Sequence, residues 1–324
     1  MPELFLEIGA EEIPSRFMGL ALDYLKEEIP SFFKKNRIQA SEPRVVGSPR
    51  RLVISFDEVG YQQEDVVETH FGPNVKLAYN EEGNPTKSAI GFARGKGIDP
   101  SQLTREKTPK GEVVCARVEK IGQPTATILN DFFPNLIRNI PFPKKMRWGN
   151  RETPFVRPLQ WIVALFGSKP LNFSYEGISC SDTSRGHRFM RSDFFKVNGM
   201  DDYLKSCEKH FLMIDPIVRE KSIVDQVTSL ANEVGGVVEL DPGLLEEVTY
   251  LVEYPFAIRG NFEKRFLELP RELLITTMKH HQKYFPLEDK YGNLLPYFIT
   301  ISNVQPGPGG EILRGNERVL RARL

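Results

Sequence analysis

Three stretches hold the residues whose types and spacing are able to do chemistry. In residues 143–167, Lys144, Lys145, Arg147, Arg151 and Arg157 face one acid, Glu152, and the chain's only two tryptophans, Trp148 and Trp161, sit among and just beyond them. Ammonium and guanidinium groups meet phosphates, and aromatic faces stack on bases or on arginine, so this mixture is what an RNA-contacting surface uses. The competing reading makes the tryptophans core residues and the cations a solvated rim. In the second stretch His187 lies between Arg185 and Arg188 in a glycine turn. It is either a proton shuttle or phosphate contact, or a loop histidine hydrogen-bonded to backbone. The third stretch, residues 278–286, carries Lys279, His280, His281, Lys283 and Tyr284. Adjacent histidines point to different sides of a helix or strand and make a poor metal pair, so with the lysines and the tyrosine they read better as RNA contacts.

The elements that must position these residues form an α+β pattern of mixed sheets, hairpins and flanking helices. A strand over 4–9 breaks at glycine, and a helix over 16–35 follows, with Ser15 as its expected cap. Residues 43–59 read as a second strand entered through the basic segment 47–51. Residues 72–97 are rich in turn formers and too poor in apolar residues for a core, so they read as a surface excursion. Within them, residues 91–97 resemble a phosphate-cradling glycine loop only superficially, since the spacing fits neither a P-loop nor GxGxxG. Short strands at 107–108 and 113–118 surround a turn at 109–111, and a helix spans 125–139. Strands at 161–166 and 171–175 form a hairpin around 167–170. Beyond residue 200 the expected order is helix 201–210, strand 211–214, helix 216–234, strand 237–240, helix 242–252, strand 254–259 and helix 270–279. A hairpin of 284–287 with 295–302 closes the region, and residues 315–324 read as the first turns of a further helix. Helices and strands in mixed order argue for α+β rather than a doubly wound sheet. The division expected is an α/β region over 1–140 and a larger α+β region over 141–324, or one interleaved unit of both.

Composition narrows the partners. Lys plus Arg and Asp plus Glu both number 43, so attraction to a polyanion has to come from local patches rather than from net charge. Three scattered cysteines, with no CxxC spacing, point to a reducing compartment and no zinc site. There is no basic leader and no stretch of roughly 20 apolar residues that would span a bilayer, so the expected location is the cytoplasm, with no membrane partner.

Seven blocks occur in a fixed order: Leu6-Glu-Ile-Gly-Ala-Glu-Glu-Ile-Pro14, Ser48-Pro-Arg-Arg-Leu52, Pro143-Lys-Lys-Met-Arg-Trp-Gly149, Phe155-Val-Arg-Pro-Leu-Gln-Trp161, Arg185-Gly-His-Arg-Phe189, Met278-Lys-His-His-Gln-Lys-Tyr-Phe-Pro286 and Gly315-Asn-Glu-Arg-Val-Leu-Arg-Ala-Arg-Leu324. Together they resemble the beta subunit of the bacterial heterotetrameric glycyl-tRNA synthetase. The resemblance implies a class II aminoacyl-tRNA synthetase of two alpha and two beta chains, in which the alpha subunit holds ATP and magnesium and makes glycyl-adenylate. It implies no cofactor and no catalytic residue in this chain, which would bind tRNA(Gly) and support attachment of glycine to it. It also implies a fold similar to the editing module of the phenylalanyl-tRNA synthetase beta chain. The family's HD-type and anticodon-binding domains lie outside this sequence, which reads as the amino-terminal piece of something longer.

Three readings follow. In the first, the chain contacts RNA through Lys144, Lys145, Arg147, Trp148, Arg157, Arg185, His187, Arg188, Lys279, His280, Lys283 and Tyr284. In the second it is an aminoacyl-tRNA deacylase, with His187 or the pair His280 and His281 positioning water. In the third it is a scaffold that docks the alpha subunit without touching RNA.

Overall fold

The computed structural model describes residues 1–109 and 111–324, so Lys110, in the expected turn at 109–111, lies outside the described residues. The chain divides into two compact units. One comprises residues 1–33, 40–59 and 129–324, the other 34–39 and 60–128, so the first 140 residues contribute to both.

The larger unit is built on a seven-stranded sheet among the described residues, in the order Pro43–Ser48, Arg51–Phe56, Leu4–Ala10, Leu159–Phe166, Ile178–Ser181 and Ser174–Tyr175, with Lys169–Pro170 also paired to Leu159–Phe166. Its first strand is buried along its whole length. Alternation sends Leu4, Leu6 and Ile8 to one face and Phe5, Glu7 and Gly9 to the other. On the first face helix Met18–Lys35 packs down, its Phe33 ring edge-on to Phe56 at 5.2 Å. On the second, Phe5, Val53, Trp161, Val163 and Leu165 form a core with Tyr203 and Cys207 of helix Met200–Lys209. The expected single strand over 43–59 is two strands, joined by a tight turn that sets Ser48 opposite Arg51. Ser15 is not a side-chain cap, because it opens a short 3₁₀ turn that precedes the helix proper.

A second sheet in this unit runs Val237–Val238, Phe285–Glu288, Leu294–Ser302 and Phe256–Asn261, all antiparallel. Helices Pro216–Asn232 and Pro242–Thr249 cover one side of it. Phe262, Met278, Tyr284 and Leu320 pack on Phe298 in a separate cluster, Leu320 coming from helix Glu311–Arg321. The strand expected over 211–214 does not form, because the carbonyls of Met213 and Ile214 accept hydrogen bonds from the buried guanidinium of Arg219. The helix expected over 270–279 is an α-turn, Arg271–Ile275, that widens into a π-helical turn, Thr276–Gln282, with Thr277, Met278 and Lys279 facing inward.

In the smaller unit residues 72–97 are not a mere surface excursion, because Leu103, Val114 and Ala116 from outside the segment complete a core with its alanines. Strands Val66–Asn74, Gly111–Lys120 and Thr104–Thr108 form a sheet on which helices Val75–Ala78 and Lys87–Gly95 sit. Its core consists of Ala78, Ala89, Ala93, Leu103, Val114 and Ala116. Alanines spaced four apart on one helix face let the helix approach the sheet closely, so few apolar atoms suffice. Much of residues 91–97 is therefore helix rather than a phosphate cradle.

Candidate functional site

The motif stretches around Glu7, Arg51, Trp161 and His187 converge on the Phe5 face of the first strand. Gly9 sits opposite Arg51 on one neighbouring strand and Trp161 on the other. A Cβ on Gly9 would fall within the Trp161 indole, so only glycine lets that ring lie across the sheet. Three guanidiniums surround the ring, with Arg50, Arg51 and Arg185 at 5.5, 5.0 and 5.3 Å from its centroid.

Arg51 is fully buried and ties four segments together. Its Nε lies 3.2 Å from Glu7 Oε1, its Nη1 pairs with Glu253, and its Nη2 donates to the carbonyl oxygens of Arg185 at 2.6 Å and Gly186 at 3.3 Å. Ser48 Oγ donates to Glu253 at 2.8 Å, and Tyr203 Oη donates to Glu7 at 3.1 Å. Burial disfavours the charge on Arg51, but Glu253 and Glu7 outweigh it and hold the guanidinium protonated. Burial pushes Glu7 above the usual carboxylate range despite Arg51. Nearby Arg219 is lowered to about 10 by burial, and it donates to the carbonyls of Thr249 at 2.7 Å and Gly47 at 3.0 Å.

His187 is fully buried beside this brace. Its Nδ1 accepts from the amides of Phe189 and Met190, both at 3.2 Å. The ring is therefore the Nε2–H tautomer, and Nε2 donates to Asn303 Oδ1 at 3.1 Å. The same oxygen accepts the amides of Glu253 at 2.7 Å and Tyr254 at 3.3 Å. Both ring nitrogens are occupied, and none remains to position water or meet a phosphate. Of the two readings of this histidine, the geometry is that of a loop histidine bonded to backbone.

The remaining candidates fall into an outer and an inner group. Lys144, Lys145, Arg147 and Arg157 are exposed, and Trp148 is half-buried with its edge against Phe155 at 6.4 Å. Trp161 is core, as the competing reading of the tryptophans has it. Arg157 Nε donates to the Glu12 carbonyl at 3.2 Å, and Arg188 Nη1 meets the Glu11 and Glu12 carboxylates at 2.8 and 2.9 Å, so both arginines gather at one corner. Arg185 is half-buried between Trp161 and Phe194. The stretch 279–284 is arranged otherwise than an RNA surface requires. Lys279, only 8% exposed, pairs with Glu239 at 3.1 Å and Asp241 at 3.7 Å, and Lys283 pairs with Glu247 at 2.7 Å. Tyr284 is buried, stacked on Phe298 at 4.6 Å and donating to Asn316 at 2.6 Å, which leaves no face for a base. Only the two histidines of that stretch, His280 among them, are exposed.

Sequence reasoning missed Glu7, Glu253, Asn303 and Arg219. Glu7 carried a signal, since a lone carboxylate inside an apolar strand needs a buried cation. The others are distant in the chain and announce themselves only through the fold. A cleft of about 610 Å³ lined by Glu3, Glu42, Asp57, Asp201 and Asp202 against Arg44 and Lys205 is acidic and would repel phosphates. Among the described residues no group of three or more His, Cys, Asp or Glu is arranged to hold a metal ion, and no helix is long and apolar enough to cross a membrane.

Chemically, this arrangement is an internal brace that fixes the backbone of Arg185 and Gly186 beneath the exposed Arg188. A family model described as "Glycyl-tRNA synthetase beta subunit" matches residues 4–324. The chain is 46% identical over 322 residues to the glycine–tRNA ligase beta subunit of Geotalea uraniireducens (strain Rf4), covering 99% of this chain and 47% of that one. It is 47% identical over 322 residues to that of Citrifermentans bemidjiense, with the same shares covered. It is 44% identical over 324 residues to that of Geobacter metallireducens, covering 100% of this chain and 47% of the relative. The chain thus belongs to the glycyl-tRNA synthetase beta subunit family, and it spans about half the length of the curated relatives it matches.

Proposed function

We propose that the chain serves the attachment of glycine to tRNA(Gly) as an RNA-contacting part of the beta subunit of a cytoplasmic glycine–tRNA ligase. In this reading two alpha and two beta subunits assemble, and the alpha subunit performs the chemistry with ATP and magnesium. The likeness to the phenylalanyl editing module is kept as a matter of fold; His187, engaged on both nitrogens, is set aside as the residue that positions water in a deacylase, which leaves that role to the exposed pair His280 and His281 alone.

The observation that carries the proposal is the stretch 144–157. Lys144, Lys145, Arg147, Arg151 and Arg157 are all exposed there, and no carboxylate among the described residues forms an ion pair with any of them. Exposed cations without a carboxylate partner, in one stretch with a half-buried tryptophan, are open to a phosphate backbone. Titration of labelled tRNA(Gly) at several salt concentrations tests this. Affinity is expected to fall with salt with a log–log slope of about 0.7–0.9 per phosphate contact, and Lys144→Ala/Arg147→Ala to flatten it by about two contacts. Salt-independent binding, or an unchanged slope in the double variant, would overturn the assignment.

One observation favours a docking role besides. Ile217 and Val218, at the start of helix Pro216–Asn232, are 79% and 53% exposed, an apolar step suited to a protein surface. Light scattering of the chain mixed with the alpha subunit is expected to show a complex that Ile217→Asp/Val218→Asp weakens. No change in the variant would remove the docking role and leave the RNA assignment untouched.

A further inference from the structure

The hairpin of Thr183–Arg185 with Phe194–Lys196 carries two guanidinium–phenyl pairs. Arg185 lies opposite Phe194 in register, its guanidinium 5.2 Å from the ring centroid. In the connecting loop Arg188 stands 5.7 Å from the centroid of Phe189. Phe194 and Phe189 are 63% and 70% exposed, although the alternate residues Ser184 and Phe195 of the same hairpin are buried. The rings are held out rather than left loose. Gly186 N–H bonds Asp193 O at 2.8 Å and Arg191 N–H bonds His187 O at 3.1 Å. Arg51 fixes the carbonyls of Arg185 and Gly186 from below, and a Cβ on Gly186 would strike the Arg191 carbonyl.

Beside the loop, the Glu11 and Glu12 carboxylates converge on one nitrogen of Arg188. The guanidinium is thus already an anion-binding group, and a phosphate would engage it by charge-assisted hydrogen bonds of the same kind. The Arg188 side chain is 43% exposed, so the pairing is open to exchange with an incoming anion.

We propose that the hairpin over 183–196 is a platform for unpaired RNA nucleotides, with bases stacking on Phe189 and Phe194 while a phosphate replaces Glu11 and Glu12 on Arg188. The proposal rests on the RNA reading above and adds which part of an RNA is taken. Bases inside a duplex present no free face, whereas unpaired ones do. An acidic peptide would use the guanidinium but has no use for two open phenyl rings.

The test is fluorescence anisotropy on the 324-residue chain with two probes, a 12-nucleotide oligouridylate and tRNA(Gly). Phe189→Ala and Phe194→Ala remove exposed rings and leave the core untouched, and thermal melting checks that each folds. Each is expected to weaken oligouridylate binding about 5- to 100-fold, the range for loss of one stacked base. Glu11→Gln/Glu12→Gln is expected to tighten it several-fold. Oligouridylate affinity within twofold of the parent in both phenylalanine variants, weaker binding in the glutamine variant, or tighter binding of a polyglutamate peptide than of oligouridylate overturns the platform. If tRNA(Gly) binds with dependence on Lys144 and Arg147 but oligouridylate does not bind, the platform falls and the RNA reading stands. If neither RNA binds, both fall.

Discussion

Arg51, Glu7 and Glu253 share one buried pocket, and Arg51 is the counter-charge of both carboxylates. Arg51→Met is expected to cost about 3–5 kcal/mol in urea denaturation, because two carboxylates remain in the interior. Arg51→Met/Glu253→Leu is expected to cost less than the two single changes summed, since one of the two orphaned carboxylates is then also gone. Glu7 gives a pH test. Burial raises its folded-state pKa above that of the unfolded chain, so the native state holds this proton more tightly. Its contribution to stability is therefore full below the ordinary carboxylate range and is lost as pH rises through the raised value. Relative to Glu7→Gln, which cannot titrate, the parent should lose stability as pH rises above the ordinary carboxylate range. A gap that stays constant, or widens in the parent's favour, would contradict the raised pKa. Arg51 was visible in the sequence only as part of the basic segment over 47–51. Its partner Glu253 lies some two hundred residues away, and no local pattern links them.

At the scale of elements, Gly9 and the cap of helix Pro242–Thr249 are the sensitive points. Gly9→Ala pushes a methyl into the Trp161 ring and is expected to cost at least 1–3 kcal/mol, the usual range for overpacking a filled core; loss of tryptophan fluorescence structure would accompany it. Asp241 Oδ1 accepts the Leu244 amide at 3.0 Å, and its other oxygen faces Lys279. Asp241→Ala should lower stability by about 1 kcal/mol through the lost cap, and Asp241→Asn should recover most of that in thermal melts. Most helices and strands were legible, because their apolar spacing and their Pro and Gly punctuation are local. The exceptions have a common cause. Arg219 diverts the backbone over 211–214, and the π-helical turn brings Lys279 inward to Glu239 and Asp241. In both places a buried cation overrides the local pattern. The same burial explains why the basic, aromatic look of residues 278–286 was misleading, since Tyr284 and Lys279 spend their polar atoms inside the fold.

For the whole molecule, charge is balanced at 43 against 43, so salt acts on patches and not on the chain as one body. Raising salt from 50 to 200 mM is expected to lower tRNA affinity roughly threefold per phosphate contact while moving the melting temperature little, because the pairs made by Arg51 are shielded from ions. Equal salt sensitivity of both would contradict that separation of inner and outer charge. One further consequence concerns synthesis on the ribosome. The Asn303 carbonyl oxygen that fixes His187, and the Glu253 carboxylate that fixes Arg51, both come from residues far downstream of the hairpin they secure. A nascent chain that has just released residue 200 from the exit tunnel has every residue of that hairpin but neither of its anchors. The surface on which the RNA proposals depend can therefore set only after about a hundred more residues have been translated, and a chaperone or stalled-ribosome intermediate would meet it in a loose form that the finished protein never shows.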